Sequence, residues 1–300
     1  MIKPTYLQKG DTIAIVAPAG FLKSEESLKK GIALAKLWGL KVKVGQNVFK
    51  KEGHFAGTDV ERLSDLQEAL DDFDVKAIWC ARGGYGTNRI IDQIDFTAFK
   101  KQPKWVIGYS DITILLNHIN NLGIVTLHAM MATSTDAFKN ELAVLSLKNA
   151  LFGKALNYEI PFETNNVLGE AHGVLIGGNL ALLAASLGSN SFPNLEKSII
   201  FIEEIGEYKY RIDRMLYSLK RHDVFKKCRG VLIGGMTDIP KNDPEFGKSI
   251  NQLILDIIER RDIPVIFGVP AGHIKDNCAL ILGSKIAIKA TKNNSIILFK

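Results

Sequence analysis

The sequence predicts an α/β fold with an N-terminal doubly wound, mostly parallel sheet and a second, smaller, strand-rich and barrel-like domain. Three observations carry this. Short apolar strands alternate with amphipathic helices through the first third of the chain, which is the rhythm of βαβ units. Glycine-rich turns follow two of those strands, at Arg82-Gly83-Gly84-Tyr85-Gly86 and Gly108-Tyr109-Ser110, and loops at the carboxyl edge of a parallel sheet are where such folds bind ligands. Strands then dominate the end of the chain. The division is read as residues 1–160 and 161–300, at the polar, irregular stretch Asn157 to Glu170.

The elements follow in order. Thr12 to Ala17 is a short apolar strand closed by Pro18-Ala19-Gly20. Ser24, Glu25 and Glu26 open a helix with Leu28, Ile32, Ala35 and Trp38 on one face, and Gly39 ends it. Val42 and Val44 alternate with lysines in an edge-like strand. Thr58-Asp59-Val60-Glu61 is a capping box before Leu63, Leu66 and Leu70. Val75 to Ala81 is the third strand, followed by the Gly-rich turn and a helix with Ile90, Ile91 and Ile94. Trp105 to Gly108 is the fourth strand, and Ile112 to Ile119 begins a helix. Further on, Ile124 to Leu127 reads as a strand and Asn140 to Phe152 as a helix. In the second half Gly173 to Ile176, Ser198 to Glu203, Gly230 to Ile233, Pro264 to Gly268, Ala279 to Leu282, Ile286 to Ala290 and Ser295 to Phe299 read as strands. Helices are expected after Gly177-Gly178-Asn179, over Tyr210 to Arg221 and from about Glu245 to Arg260.

Composition limits the function. The chain has 300 residues, 46% hydrophobic and 23% charged, the balance of a soluble globular protein. No apolar run is long enough to span a membrane, and Met1-Ile2-Lys3-Pro4 opens no signal peptide. Cys80, Cys228 and Cys278 are far apart in apolar settings, so they read as reduced core thiols of a cytoplasmic protein, with no metal-ligand spacing. The net charge of +6 is scattered in pairs of lysines rather than gathered in a stripe. That is a solvated basic surface, and neither nucleic acid nor membrane is expected as a partner. A homodimer is compatible with the sequence, which fixes no oligomeric state.

The stretch Trp105 to Thr113 carries the sharpest chemical signal. It lifts Ser110 off the carboxyl edge of a sheet and sets it at a helix N-terminus, where free N–H groups and the helix dipole favour a developing oxyanion. The G-x-S-x-G elbow needs a small residue two after the serine, and this chain has Ile112. The duller reading is that Ser110 or Asp111 merely caps the helix. The Gly83-Gly84 pair lies one unit earlier at the same edge, so its N–H groups fit oxyanion donors; neither G-x-G-x-x-G nor a P-loop is present. Arg82, just before those glycines, fits a receptor for a substrate carboxylate, with a purely structural ion pair as the competing reading. Glu203 and Glu204 end an apolar strand, and strand alternation points them to opposite faces, so at most one joins a given site. Six histidines compete for the role of base, and spacing alone does not choose among them.

Phe55-Ala56-Gly57-Thr58, Arg82-Gly83-Gly84-Tyr85-Gly86, Gly108-Tyr109-Ser110-Asp111-Ile112-Thr113, Gly177-Gly178-Asn179, Glu203-Glu204-Ile205-Gly206-Glu207 with Tyr210-Arg211-Ile212-Asp213-Arg214-Met215, and Gly272-His273 occur in that order. Together they resemble the LD-carboxypeptidase family of serine peptidases, which includes the microcin C immunity hydrolases, over nearly the whole chain. The resemblance implies Ser110 as nucleophile, Glu203 rather than Glu204 as the acidic member and His273 as the base; the glycine-rich turn and the helix N-terminus then suggest the N–H groups of Gly84 and Asp111 as oxyanion donors. It implies a cytoplasmic hydrolase that needs no metal or organic cofactor and releases terminal D-alanine from a murein tetrapeptide in cell-wall recycling. Two alternatives remain: hydrolysis of acyl-adenylate analogues in the manner of microcin immunity, and a non-catalytic anion-binding protein on the same fold. One departure concerns His128-Ala129-Met130-Met131, where many members carry Gly-Pro-Met after the strand. It bears on substrate preference more than on catalysis.

Overall fold

A computed structural model of the protein describes residues 1–134, 141–260 and 262–300. The first sheet takes β1 (Thr12–Val16), β2 (Lys41–Val44), β3 (Val75–Cys80), β4 (Trp105–Gly108) and β5 (Thr126–His128) in the order β2-β1-β3-β4-β5, all parallel. Its connections carry α1 (Glu26–Leu37), α2 (Asp59–Asp71), the short α3 (Thr87–Ile90) and α4 (Thr97–Lys101), and α5 (Thr113–Asn121). The capping box of α2 forms as its sequence requires: Glu61 N–H donates to the Thr58 hydroxyl at 3.2 Å and Thr58 N–H to the Glu61 carboxylate at 2.8 Å. Leu28 and Ala35 of α1 pack with Ile13, Ile15 and Trp79 on one face of the sheet. Leu66 and Leu70 of α2 pack with Ala14, Val16 and Ile78 on the other. The sheet is therefore covered on both sides, as the βαβ rhythm predicts.

The second half contributes α6 (Glu141–Leu151), β6 (Asn157–Pro161), β7 (Gly169–Asn179), α7 (Leu180–Ala185), β8 (Ser198–Ile205), α8 (Lys209–Arg221) and α9 (Val224–Lys227). It continues with β9 (Gly230–Thr237), α10 (Ile250–Ile258), β10 (Val265–Ile266), β11 (Leu280–Leu282), β12 (Lys285–Ala290) and β13 (Asn294–Phe299). The second sheet runs β10-β9-β8-β7-β12-β13-β6, parallel from β10 to β7 and antiparallel beyond. Its edges curl toward each other. Val167 bridges to Val265 on β10, and the amide of Asn166 donates to the Ser295 hydroxyl on β13 while accepting from Phe267 N–H beside β10. That stitching gives the barrel-like character. This sheet has seven strands against six in the first.

Several sequence expectations need correction. The stretch from Asn157, read as irregular, holds β6, whose burial alternates so that Ile160 is buried between exposed neighbours. An edge strand with one buried position looks like a polar loop in sequence. The chain also crosses back. β11 joins the first sheet, antiparallel to β5, with Leu280 opposite His128. The helix after the Gly-rich turn stops at Ile90 and continues as a 3-10 turn, Ile91–Gln93. The helix expected from Glu245 begins at Ile250, where the Ser249 hydroxyl accepts from Gln252 N–H and caps it. Of the helix expected from Asn140, that first residue lies outside the described residues.

The two sheets share one core. Ile112, Leu115 and Ile119 from the first half cluster with Leu175, Ile199, Phe201 and Leu232 from the second. The opposite face of the second sheet, with Ile200 and Ile202, packs on α7, α8 and α10. So β8 has one face toward the first sheet and one toward its own helices. All three cysteines are buried and none is in a disulfide.

Candidate active site

β4 delivers Ser110. All four of its residues are buried, and the chain then turns so sharply that Ser110 adopts φ +62°, the left-handed region that side chains rarely visit. A 3-10 turn, Ser110–Ile112, leads into α5. Two glycines make the turn possible. A Cβ on Gly108 would lie 2.7 Å from Cγ2 of Ile112, so the large side chain that departs from the G-x-S-x-G pattern takes the space that Gly108 leaves. A Cβ on Gly83 would lie 2.9 Å from the Cβ of Ser110 and 3.1 Å from its Oγ. The Gly-rich turn therefore rests directly against the serine. Met131 reaches the same place: its methyl would lie 3.4 Å from a Cβ on Gly83, so the altered loop after β5 borders the serine.

Asp111 fastens this turn to the serine. Its side chain is buried, and its Oδ2 accepts from Thr87 N–H at 2.8 Å, tying the start of α3 to the elbow. Burial raises its pKa, against the hydrogen bonds that favour the carboxylate. The backbone N–H groups of Gly84 and Asp111 have no acceptor among the described residues. Arg82 donates from its guanidinium to the carbonyl of Phe21 and lies over that ring at 5.6 Å. It has no carboxylate partner among the described residues.

β8 and the loop after β10 supply the acid and the imidazole. Glu203 is fully buried, and its Oε2 accepts from His273 twice, from Nδ1 at 2.7 Å and from the backbone N–H at 3.1 Å. Gly272 lets the loop come this close: at φ +106°, a Cβ there would meet the Cβ of Glu203 at 2.7 Å. The Thr237 hydroxyl donates to His273 O at 2.9 Å, and Gly272 N–H donates to Asn277 at 2.9 Å, which pins the loop from both sides. A carboxylate only accepts, so Nδ1 carries the proton and Nε2 keeps a lone pair for incoming chemistry. The imidazole packs on Tyr109, ring centroids 4.8 Å apart, which sets it beside the residue preceding Ser110. Ser110 and His273 are not hydrogen-bonded to each other, a separation ordinary for such groups before substrate arrives.

Glu204 faces the other way. Its carboxylate accepts from Asn179 Nδ2 at 2.9 Å, Ala181 N–H at 2.8 Å and Ile205 N–H at 2.8 Å. Asn179 in turn caps α7. The preceding glycines form the seam between the halves: a Cβ on Gly177 would strike Phe201 O at 2.0 Å, and one on Gly178 would strike Oγ1 of Thr113 at 2.6 Å. Asn117 of α5 donates to Gly177 O, and Thr113 accepts from Asn179 N–H. Sequence reasoning saw the glycine pair but not its partner, because Thr113 and Asn117 look like ordinary helix positions. It also passed over Tyr109, whose contact with His273 has no sequence signal.

Known proteins share this arrangement of two domains. Residues 13–129 match the LD-carboxypeptidase N-terminal domain and residues 172–288 the LD-carboxypeptidase C-terminal domain. A probable murein peptide carboxypeptidase of Bacillus subtilis is 36% identical over 98% of this chain and 94% of its own length. The murein tetrapeptide carboxypeptidase of Pseudomonas aeruginosa is 27% identical over 93% and 94%. Among solved structures, muramoyltetrapeptide carboxypeptidase from Oxalobacter formigenes aligns with a TM-score of 0.87 at 28% identity, covering 96% of this chain and 98% of that one. The microcin C7 self-immunity protein MccF of Escherichia coli is 26% identical over 96% and 93%. Both domain matches, in order and over most of the chain, place this protein in the LD-carboxypeptidase family, as a serine-type carboxypeptidase.

Proposed function

We propose that the protein releases the terminal D-alanine of a murein tetrapeptide by hydrolysing its L,D amide bond, with Ser110 as nucleophile, His273 as general base and Glu203 as the orienting acid. The observation that carries this reading is the Glu203–His273 pair: a buried carboxylate 2.7 Å from Nδ1 that leaves Nε2 as the free base at the domain seam. His273 takes the proton of the Ser110 hydroxyl as Oγ attacks the carbonyl, and Glu203 stabilises the imidazolium that forms. The N–H groups of Gly84 and Asp111 receive the oxyanion, a contribution on the order of 3 kcal/mol per donor. His273 then protonates the leaving amine, and water, activated by the same imidazole, frees the acyl-enzyme. The buried thiols, none of them in a disulfide, support a reducing, cytoplasmic setting for this reaction.

An exopeptidase must recognise a free carboxylate, and Arg82 is the group we assign. Its guanidinium is anchored on Phe21 O with no carboxylate beside it among the described residues, so its charge serves the substrate terminus. Mass spectrometry of a murein tetrapeptide and its C-terminal amide, each incubated with the protein, tests both statements. The acid should yield tripeptide and D-alanine, and amidation should cost about 1.5–3 kcal/mol in transition-state binding, the range of a lost charged hydrogen bond. Arg82→Gln should lose rate on the acid and discriminate poorly between the two. Equal hydrolysis of both forms by the native enzyme would defeat the exopeptidase reading. The microcin-type alternative rests on family membership alone.

A further inference from the structure

His128 has no role in the mechanism above, yet it lies close enough to Glu203 and His273 to feel both. It ends β5, pairing with Gly108 on the strand that delivers Ser110 and with Leu280 on β11. Its side chain is fully buried between two rings, Phe201 at 4.9 Å and 79° and Tyr109 at 5.8 Å and 60°. Tyr109 is the ring that also packs on His273. Phe201 lies two residues before Glu203, so strand alternation puts Phe201 and Glu203 on the same face of β8. Burial, and to a lesser degree the neighbouring His273, disfavour a proton on the His128 imidazole; Glu203 favours one, but burial outweighs it and keeps the ring neutral.

A neutral imidazole offers one N–H donor and one lone pair. Neither ring nitrogen of His128 has a partner among the described residues, and neither does Oε1 of Glu203, also buried. Buried polar atoms are satisfied in the great majority of cases, often by a bridging water where no direct bond is made. The orphaned atoms are complementary, a donor on the ring and an acceptor on the carboxylate, and the Phe201 ring packed on His128 lies two residues before Glu203 on β8.

We propose that His128 is a positioning residue for Glu203: its ring N–H donates through a single bridging water to Oε1, while His273 holds Oε2. Gripped at both oxygens, the carboxylate cannot rotate away from Nδ1, and the imidazole stays in the tautomer that the reaction requires. The proposal rests on the reading of Glu203 and His273 as the orienting acid and base.

Two variants and one spectroscopic measurement test it. His128→Phe keeps an aromatic ring between Phe201 and Tyr109 but removes the donor; His128→Gln keeps an N–H donor but loses the ring. On murein tetrapeptide, the Phe variant should lose about 10- to 100-fold in kcat, the usual range for an outer partner of a functional side chain, with KM unchanged and thermal unfolding near native. The Gln variant should recover most of that rate. Native kcat in the Phe variant would overturn the proposal, as would a Gln variant that is equally slow with both variants unfolding early, since that pattern means packing alone. Nitrogen-15 NMR of the native protein reads the contact without any substrate. The His128 ring should appear neutral, with a protected N–H whose resonance moves in Glu203→Gln. A resonance unmoved by that substitution sinks the proposal even if the peptidase activity is as described, and a moved one sustains it even if the substrate is another.

Discussion

Glu203 and Glu204 are neighbours on β8 and meet opposite fates. Glu204 points to the helix-covered face and is saturated by three donors, from Asn179, Ala181 and Ile205. Glu203 points to the seam between the sheets and is held on one oxygen by a single residue, His273, through its ring and its backbone. A carboxylate that closes every hydrogen bond on its own domain is a structural fastener. One that leaves Nε2 of its partner's ring without a hydrogen bond among the described residues has something left to do. Strand alternation makes the difference possible, because period two sends adjacent residues to different cores.

The largest effects belong to the seam. Ser110→Ala or His273→Ala should each lower kcat by about 10⁶-fold, and the double variant by scarcely more, since groups that act as a unit are not additive. Steady-state rates against the tetrapeptide measure this; additive losses would mean that the two residues act independently. Glu203→Gln should lose about 10⁴-fold with stability nearly kept, because the amide cannot hold the required imidazole tautomer.

The seam also governs an acid limit to stability. Burial depresses the pKa of His128 from the usual 6.5 to about 4. Between those values the unfolded chain binds a proton that the folded protein refuses. Unfolding is therefore favoured as pH falls through this window, by roughly 3 kcal/mol once both limits are passed. Urea unfolding at a series of pH values should show a shallower decline between pH 6.5 and 4 in His128→Phe than in the native protein. Parallel curves would mean that the ring charges freely in the folded state. The smallest effect lies on the other face of β8. Glu204→Gln should cost about 1–3 kcal/mol in stability, the penalty for donors left poorly matched, with kcat/KM near native. A large loss of activity there would erase the contrast between the two residues.

Much of this was legible in the sequence because it is local. The parallel sheet follows from apolar strands and capped helices in alternation, and the capping box at Thr58 and Glu61 formed as its spacing requires. The elbow at Ser110 follows from an apolar strand that ends in glycine before a helix. What could not be read is what the chain builds from afar. β11 returns to the first sheet from the far end of the chain, and the amphipathic edge strand β6 looks like a loop until its partner β13 is known. Alternation separated Glu203 from Glu204 but could not say which face meets the serine; the family resemblance pointed to Glu203, and the loop that brings His273 onto Glu203 supplies the physical reason. His128 stood out only as part of the departure from Gly-Pro-Met, since its meaning lies in the Phe201 and Tyr109 rings packed on it and in the nearby Glu203.

The central claim is that Glu203, and not Glu204, arms Ser110 through His273. The rate at which a fluorophosphonate labels the protein, with the modified residue identified by mass spectrometry, tests it without assuming any substrate. The account predicts labelling at Ser110 in the native protein and in Glu204→Gln at similar rates, and almost none in Glu203→Gln or His273→Ala. Modification at another residue, or equally slow labelling of the two glutamate variants, would contradict it.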